Sequence, residues 1–346
     1  SCVNIFGSST TVATGSQPIS ITSNDFNRDA RSDLTVANFG SNTVGVFLGN
    51  GDGTFQNQNT YVAGTAPYSI ITGDFNNDNI QDLVTVNSGS NTISVLFGNV
   101  NGIFQTVNTF NISSTPTSLT SGDFNRDNIQ DLAVTNAGNN TVVILLGNGN
   151  GIFQNGVTYA TGSIPTFVLA RDFNNDFKLD LAVTNAGDNN VGVLLGNGDG
   201  TFNTQVIYST GTLPNHVVSN DFNNDGRVDL AVVNRQSNSV SVLLGNGNGN
   251  FQSHTTYSTE NSPNQIQAGN LNNDTNVDLV VVNSASNSIS VLLGNGNGTF
   301  QTQITYATGN NPVSLVLANF NSDTKLDLAV VNYNDNSISI FLNTCS

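Results

Sequence analysis

The chain repeats itself every 49 residues, and that period governs everything else that can be read from it. A proline recurs at Pro18, Pro67, Pro116, Pro165, Pro214, Pro263 and Pro312, which accounts for all seven prolines. A D-F-N run recurs at Asp25, Asp74, Asp123, Asp172 and Asp221, with N-L-N and N-F-N variants at Asn270 and Asn319. Seven copies fill 343 of the 346 positions. One such unit cannot bury a core alone, so neighbouring units must stack, and the whole of 1–346 is expected to form a single domain.

Within the second copy, SIITG before Asp74, DLVTVN from Asp82, TISVLFGN from Thr92 and FQTVNTFNIS from Phe104 read as four short strands. Each is rich in β-branched, aromatic or leucine side chains and is bounded by Gly, Asn, Asp or Pro, and no segment carries a competing helical period. GNGDG after Leu48 and GNGNG after Leu146 supply the left-handed residues of tight hairpins. Four antiparallel strands in about 49 residues is one blade of a β-propeller, so the expected fold is all-β with seven blades.

The chain ends indicate a ring instead of an open stack. Phe6 has the phase of Phe55, Phe104 and Phe153, so the chain begins in an outer fourth strand, whereas it ends on IFLN, the close of a third strand. The last blade is then completed from the other end of the chain, which removes a long unpaired edge. Cys2 and Cys345 both fall at the hairpin position between third and fourth strands, where a disulfide would stand in for the missing turn.

Charge narrows the partners. Eight basic against 24 acidic residues give a formal charge of -16, which disfavours nucleic acid and anionic membranes as partners. No apolar run approaches the roughly 20 residues that cross a bilayer. The absence of Met and the two cysteines suit a mature product cut from a secreted precursor, in an oxidising, extracellular compartment.

Nineteen of the 24 acids are concentrated in the loop after each first strand, three in each of the first five copies and two in each of the last two. Oxygen groups fall there at positions 1, 3, 5, 7 and 9, the seventh through a backbone carbonyl. The sets are Asp25, Asn27, Asp29, Arg31 and Asp33; Asp74, Asn76, Asp78, Ile80 and Asp82; Asp123, Asn125, Asp127, Ile129 and Asp131; and Asp172, Asn174, Asp176, Lys178 and Asp180. They continue with Asp221, Asn223, Asp225, Arg227 and Asp229; Asn270, Asn272, Asp274, Asn276 and Asp278; and Asn319, Asn321, Asp323, Lys325 and Asp327. All-oxygen donors suit a hard cation of six to eight ligands such as Ca2+, whereas zinc or copper would call for His or Cys. Seven such ions would bring the formal charge from -16 to -2. Gly226 makes the fifth loop the best adapted to a sharp left-handed turn, while Phe177, Thr275 and Thr324 suit it poorly. Asn270 and Asn319 also remove a carboxylate, so the last two loops are expected to bind weakly or not at all.

The D-x-N-x-D-x-x-x-D-L run and the LLGNGxGTF segment make the repeat similar to the FG-GAP or VCBS repeat of integrin α-subunit heads and many secreted proteins. The resemblance covers the whole chain and implies one calcium per blade in the loop between the innermost and second strands. It also implies adhesion or lectin-like recognition of protein or carbohydrate.

The recurring Phe and Tyr residues read as packing between blades, with a repeated sugar-stacking platform as the alternative. Only two histidines occur, His216 and His254, at different phases and beside no nucleophile motif, so the expectation is a non-enzyme. A binding face is expected opposite the acidic loops, where Phe39, Arg235 and Tyr333, with Leu213 and Glu260, depart from the internal consensus. The alternative is a structural subunit of a matrix, fibre or surface layer that binds copies of itself. N-glycosylation sequons occur at Asn111, Asn139, Asn273 and Asn297.

Overall fold

The computed structural model describes the chain except Ser1, Val3, Ser113, Asn155 and Ser346, together with the backbone alone of Thr106 and Val107. Its strands form seven four-stranded antiparallel sheets, six following chain order from the innermost strand outward and the seventh completed on its outer edge by Thr10–Ala13. Blade II, for example, consists of Pro67–Gly73, Asp82–Asn87, Thr92–Gly98 and Phe104–Asn111, as the sequence predicts. The single helical element among the described residues is the 3-10 turn Ala186–Asp188.

Burial follows each strand's place in the blade. The second strand is buried at every position in all seven blades, because it has a strand on each side and a neighbouring blade on each face. Its side chains therefore run without polar alternation, as in DLVVVN of Asp278–Asn283. Outermost strands such as Val157–Ala160 bury only the Tyr phase in part.

The core lies between blades. Phe75, Val84, Val86, Ile93 and Val95 of blade II pack with Leu119, Leu132, Val134, Val143 and Phe153 of blade III in one cluster. The recurring aromatics sit at these seams. Phe26 and Tyr61 of blade I meet Phe104 of blade II edge to face, with centroids 5.5 and 5.7 Å apart. The same clamp recurs as Phe124 and Tyr159 on Phe202, Phe173 and Tyr208 on Phe251, and Phe222 and Tyr257 on Phe300. Each such pair contributes roughly 0.5–1.5 kcal/mol beyond its buried area.

A belt of asparagines ties the blades together at the end opposite the acidic loops. Asn42, Asn91, Asn140, Asn189, Asn238, Asn287 and Asn336 all adopt left-handed backbone in the turn between second and third strands. Each side-chain oxygen accepts the N–H of the residue before the next blade's proline, Ala66 from Asn42 through to Gln17 from Asn336, at 2.7–2.9 Å.

The ring closes as expected. Thr10–Ala13 pairs with Ser337–Phe341, Phe6 bridges Asn343, and Cys2 and Cys345 form a disulfide with Cα atoms 5.6 Å apart. One detail departs from expectation, since most fourth strands start late. In blade I the strand is Asn59–Val62, and Phe55 is held only by an isolated bridge to Gly49. Blade II is continuous from Phe104 because Val100 occupies the phase of Gly51, leaving one left-handed glycine, Gly102, in place of the pair Gly51 and Gly53.

A Cys2→Ser, Cys345→Ser double variant is expected to unfold at lower urea concentration, with stability reduced by several kcal/mol, up to about 6 kcal/mol on the chain-entropy model for a loop closed over a separation of 343 residues. Reduced wild-type protein should give the same midpoint.

Candidate functional site

The ring has two chemically different ends, set by the direction of its strands. Loops from first to second strand and hairpins from third to fourth share one end, where all but three of the 24 acids lie. Connections from second to third strand and from fourth strand to the next blade share the other.

At the acidic end each loop is organised by its own side chains. In blade V the Asp221 carboxylate accepts the N–H groups of Asp225 at 3.1 Å and Gly226 at 2.7 Å. Asp225 accepts the Arg227 N–H at 2.9 Å, and the Asn223 amide donates to Asp225 at 3.1 Å. The sixth-position residue is left-handed in every copy: Ala30, Asn79, Asn128, Phe177, Gly226, Thr275 and Thr324 have φ of 63, 61, 64, 61, 79, 107 and 73°. The poor fit expected at Phe177 and Thr324 therefore does not alter the turn, which imposes a conformation costing a non-glycine residue roughly 1–2 kcal/mol, whereas at Thr275 the backbone is displaced as expected, to φ 107°. The first-position substitution has a visible effect instead. In blades I to V the sixth-position N–H donates to the first Asp at 2.7–2.8 Å, whereas Asn270 and Asn319 receive no such bond among the described residues.

The ninth-position Asp has a second task. Asp33, Asp82, Asp131, Asp180, Asp229, Asp278 and Asp327 are fully buried. One oxygen of each accepts the second-position N–H of its loop, Phe26 through Phe320, at 2.8–3.0 Å. The other accepts an N–H at the end of the third strand, Gly49 through Asn343, at 2.7–2.9 Å. Burial pushes the carboxyls of the first six up to about 6 and raises that of Asp327; these backbone bonds oppose the shift, and neighbouring loop carboxylates add to it.

The donors fit a hard cation in chemistry: exposed carboxylates, an amide and a carbonyl beside a buried carboxylate whose oxygens each keep a lone pair. Among the described residues no three His, Cys, Asp or Glu groups stand together at ligating range, and carboxylates that share no cation repel one another. Three loop cations pair within their own loop, Arg31–Asp29 at 4.0 Å, Lys178–Asp176 at 3.4 Å and Arg227–Asp225 at 3.8 Å, whereas the Arg28 guanidinium crosses to donate to the Asn79 carbonyl of the next loop. Asn139, Asn273 and Asn297 are exposed, while the sequon of Asn111, itself exposed, ends at Ser113, outside the described residues.

At the other end the prolines build the site. Each innermost strand opens on its proline with a register shift, so the following residue, Ile19, Tyr68, Thr117, Thr166, Asn215, Asn264 or Val313, is a bulge. These side chains ring the mouth of the central channel around a cavity of about 350 Å³. Phe39, Arg235 and Tyr333, singled out from sequence, all line it, whereas Leu213 and Glu260 do not. Sequence reasoning missed Tyr68, Phe167 and His216, which join them. The available signal was the same one, departure from the internal consensus, here in the two residues after each proline.

His216 is buried and borders the floor of the mouth. Its ring stacks on Phe167 with centroids 3.6 Å apart, and burial holds its pKa down at about 3, so it is neutral. Gln265 accepts the Leu315 N–H through its side-chain oxygen at 2.5 Å, which leaves its amide nitrogen facing His216 Nε2 at 3.3 Å. His216 Nε2 is thus the acceptor and Nδ1 carries the proton. That Nδ1 is buried and has no partner.

Asp229→Ala, which strands the Phe222 and Gly245 N–H groups, is expected to cost roughly 3–5 kcal/mol in urea unfolding with chelator present. Asp225→Ala, on the exposed part of the same loop, should cost less than about 1 kcal/mol under those conditions.

The FG-GAP-like repeat model matches residues 25–85, 74–134, 123–183, 172–232, 221–281 and 270–330 in overlapping pairs. No curated protein sequence matches the chain. Among solved structures, it is similar to BBS1N in complex with ARL6DN, at a TM-score of 0.71 and 12% identity over 98% of this chain and 97% of that one. It is also similar to virginiamycin B lyase from Staphylococcus aureus, at 0.69 and 15% over 97% and 99%, and to a streptogramin B lyase, at 0.68 and 16% over 97% and 98%. At such identities the structures share the propeller fold, while the matched repeats span most of the ring: the chain belongs to the FG-GAP-like repeat family.

Proposed function

We propose that the chain is an extracellular, non-catalytic recognition module: calcium ions in the acidic loops stiffen one end of the ring, and the channel mouth at the other binds protein or carbohydrate. The observation that carries this reading is the contrast between the ends. The tier of Ile21, Ile70, Leu119, Val168, Val217, Ile266 and Leu315 is uniformly aliphatic, yet the residues above it differ from blade to blade and gather Phe39, Tyr68, Arg235 and Tyr333 in one cavity. A ring that served only as a spacer would have no need of that asymmetry. BBS1N, similar in fold, was solved in complex with ARL6DN, which supports binding of a protein by such a ring.

Calcium supplies charge neutralisation when bound. The chain's own residues hold the loop shape, most fully in blades I to V, where the first Asp fixes the sixth-position N–H. A non-catalytic role is supported by the histidines: His216 is buried and neutral, and His254 Nδ1 lies 2.9 Å from the Ser209 carbonyl.

A second reading, a self-assembling subunit of a matrix, fibre or surface layer, is favoured by the outer rim. Val157, Val206 and Ile207 keep 52, 46 and 46% of their surface exposed on outermost strands, whose free edges are templates for pairing.

Two measurements test these readings. Thermal unfolding with calcium and with excess chelator should differ by more than 10 °C, roughly the combined effect, about 7 kcal/mol, of several filled loops in a chain of this length; superimposable curves would remove calcium from the proposal. Glycan and protein arrays should yield a ligand for the wild-type monomer, whereas concentration-dependent assembly abolished by Ile207→Lys, with blank arrays, would decide for the subunit.

A further inference from the structure

The mouth of the channel carries more information than the presence of a binding face. Of the eight basic residues, six lie within the acidic loops and Arg171 directly precedes one, so Arg235 is the only cation at the mouth end. Among the described residues its guanidinium takes part in no ion pair, the ion pairs there being those of Arg31, Lys178 and Arg227. The three acids of this end are otherwise engaged. Asp188 accepts the Ser163 N–H at 2.7 Å, Asp335 the Asn310 N–H at 2.6 Å, and Glu260 the Gln303 amide at 3.3 Å.

Aromatic side chains line the same cavity as that charge. Phe39 and Tyr68 meet edge to face with centroids 6.4 Å apart. Arg235 and Tyr333 are both near enough to the Tyr68 hydroxyl to act on its proton equilibrium, Arg235 lowering and Tyr333 raising it against a larger upward push from desolvation. Below them, Phe167 and His216 border both this cavity and the next one down the channel. The unpartnered Nδ1–H of His216 is an independent sign of a missing group, since a buried donor left unpaired costs roughly 1–3 kcal/mol.

We propose that the channel mouth binds a small ring-bearing carboxylate, its carboxylate on the Arg235 guanidinium and its ring among Phe39, Tyr68 and Tyr333, with a ligand oxygen meeting the proton of His216 Nδ1. A guanidinium offers two parallel donors that match a carboxylate, and aromatic faces pack on the flat face of a ring. A cavity of about 350 Å³ lies at the small end of the 300–1,000 Å³ typical of ligand pockets, which selects one ring over an extended chain. This assignment rests on the recognition reading and names the chemistry of its site. A sugar acid and a hydroxyl-bearing aromatic acid both satisfy it, and the two can be told apart.

The test is calorimetric titration of the full chain in calcium with D-glucuronate and 4-hydroxybenzoate, each beside its neutral counterpart, D-glucose and 4-hydroxybenzyl alcohol. At least one acid should bind, its neutral counterpart being weaker by at least about tenfold, the value of one charge-assisted hydrogen bond. Tighter binding of glucuronate would identify a sugar acid, and tighter binding of 4-hydroxybenzoate an aromatic acid. Arg235→Gln should remove the preference for the acid, Tyr333→Ala should weaken acid and neutral ring together, and Arg227→Gln, at the far end, should change neither. Unaltered melting of Arg235→Gln would show that the loss is local. Failure of both acids to bind at millimolar concentration, or binding indifferent to Arg235→Gln, overturns the proposal. If an array ligand then still binds the Arg235→Gln variant, recognition stands and only this assignment falls; if the arrays are blank as well, both fall.

Discussion

The structure depends on one buried carboxylate repeated around the ring. Asp229 and its six counterparts lie where loop, second strand and end of third strand meet, and each joins the three through two backbone N–H groups. A neutral amide could not accept both bonds, because one side of its head group is a donor. The charge is retained in an apolar surrounding at the expense of a raised pKa, the signature of a group held by geometry against its solvation preference. What that carboxylate secures is the position of the loop's exposed oxygens, so the residue that most resembles a ligand at the end of the motif is first of all the anchor of the frame.

The aromatic seams complete the frame from the outside. Phe26 and Tyr61 grip Phe104 across the boundary between blades I and II, three further blade boundaries repeat a Phe and Tyr grip, and Phe75 with Phe110 holds Phe153 between blades II and III. Where Leu271 replaces Phe in blade VI, Phe6 from the chain's beginning packs on Tyr306 and Phe341, so closure of the ring and closure of the core are one event.

Much of this was legible in the sequence because a strict period turns every exception into information. Strand order, the ring seal at Phe6 and Asn343, the disulfide and the seven loops all follow from phase alone. The channel mouth was legible only in part. Phe39, Arg235 and Tyr333 stood out in turns, where variation is conspicuous, but Tyr68, Phe167 and His216 lie just inside strands, and only the bulge after each proline reveals that they face a common space. That Phe177 takes up the left-handed turn without distortion was not legible in the residue's own preference, because the bond of its N–H to Asp172 at 2.8 Å lies in the loop and not in the side chain.

The asparagine belt has a consequence for how the mouth meets a ligand. Because every connection around the rim is pinned to its neighbour, no blade can swing outward without breaking two adjacent links, so the opening keeps a constant bore. Entry is then governed by fit to a rigid aperture, as in a sieve, and little conformational freedom is left to lose when the aperture is filled.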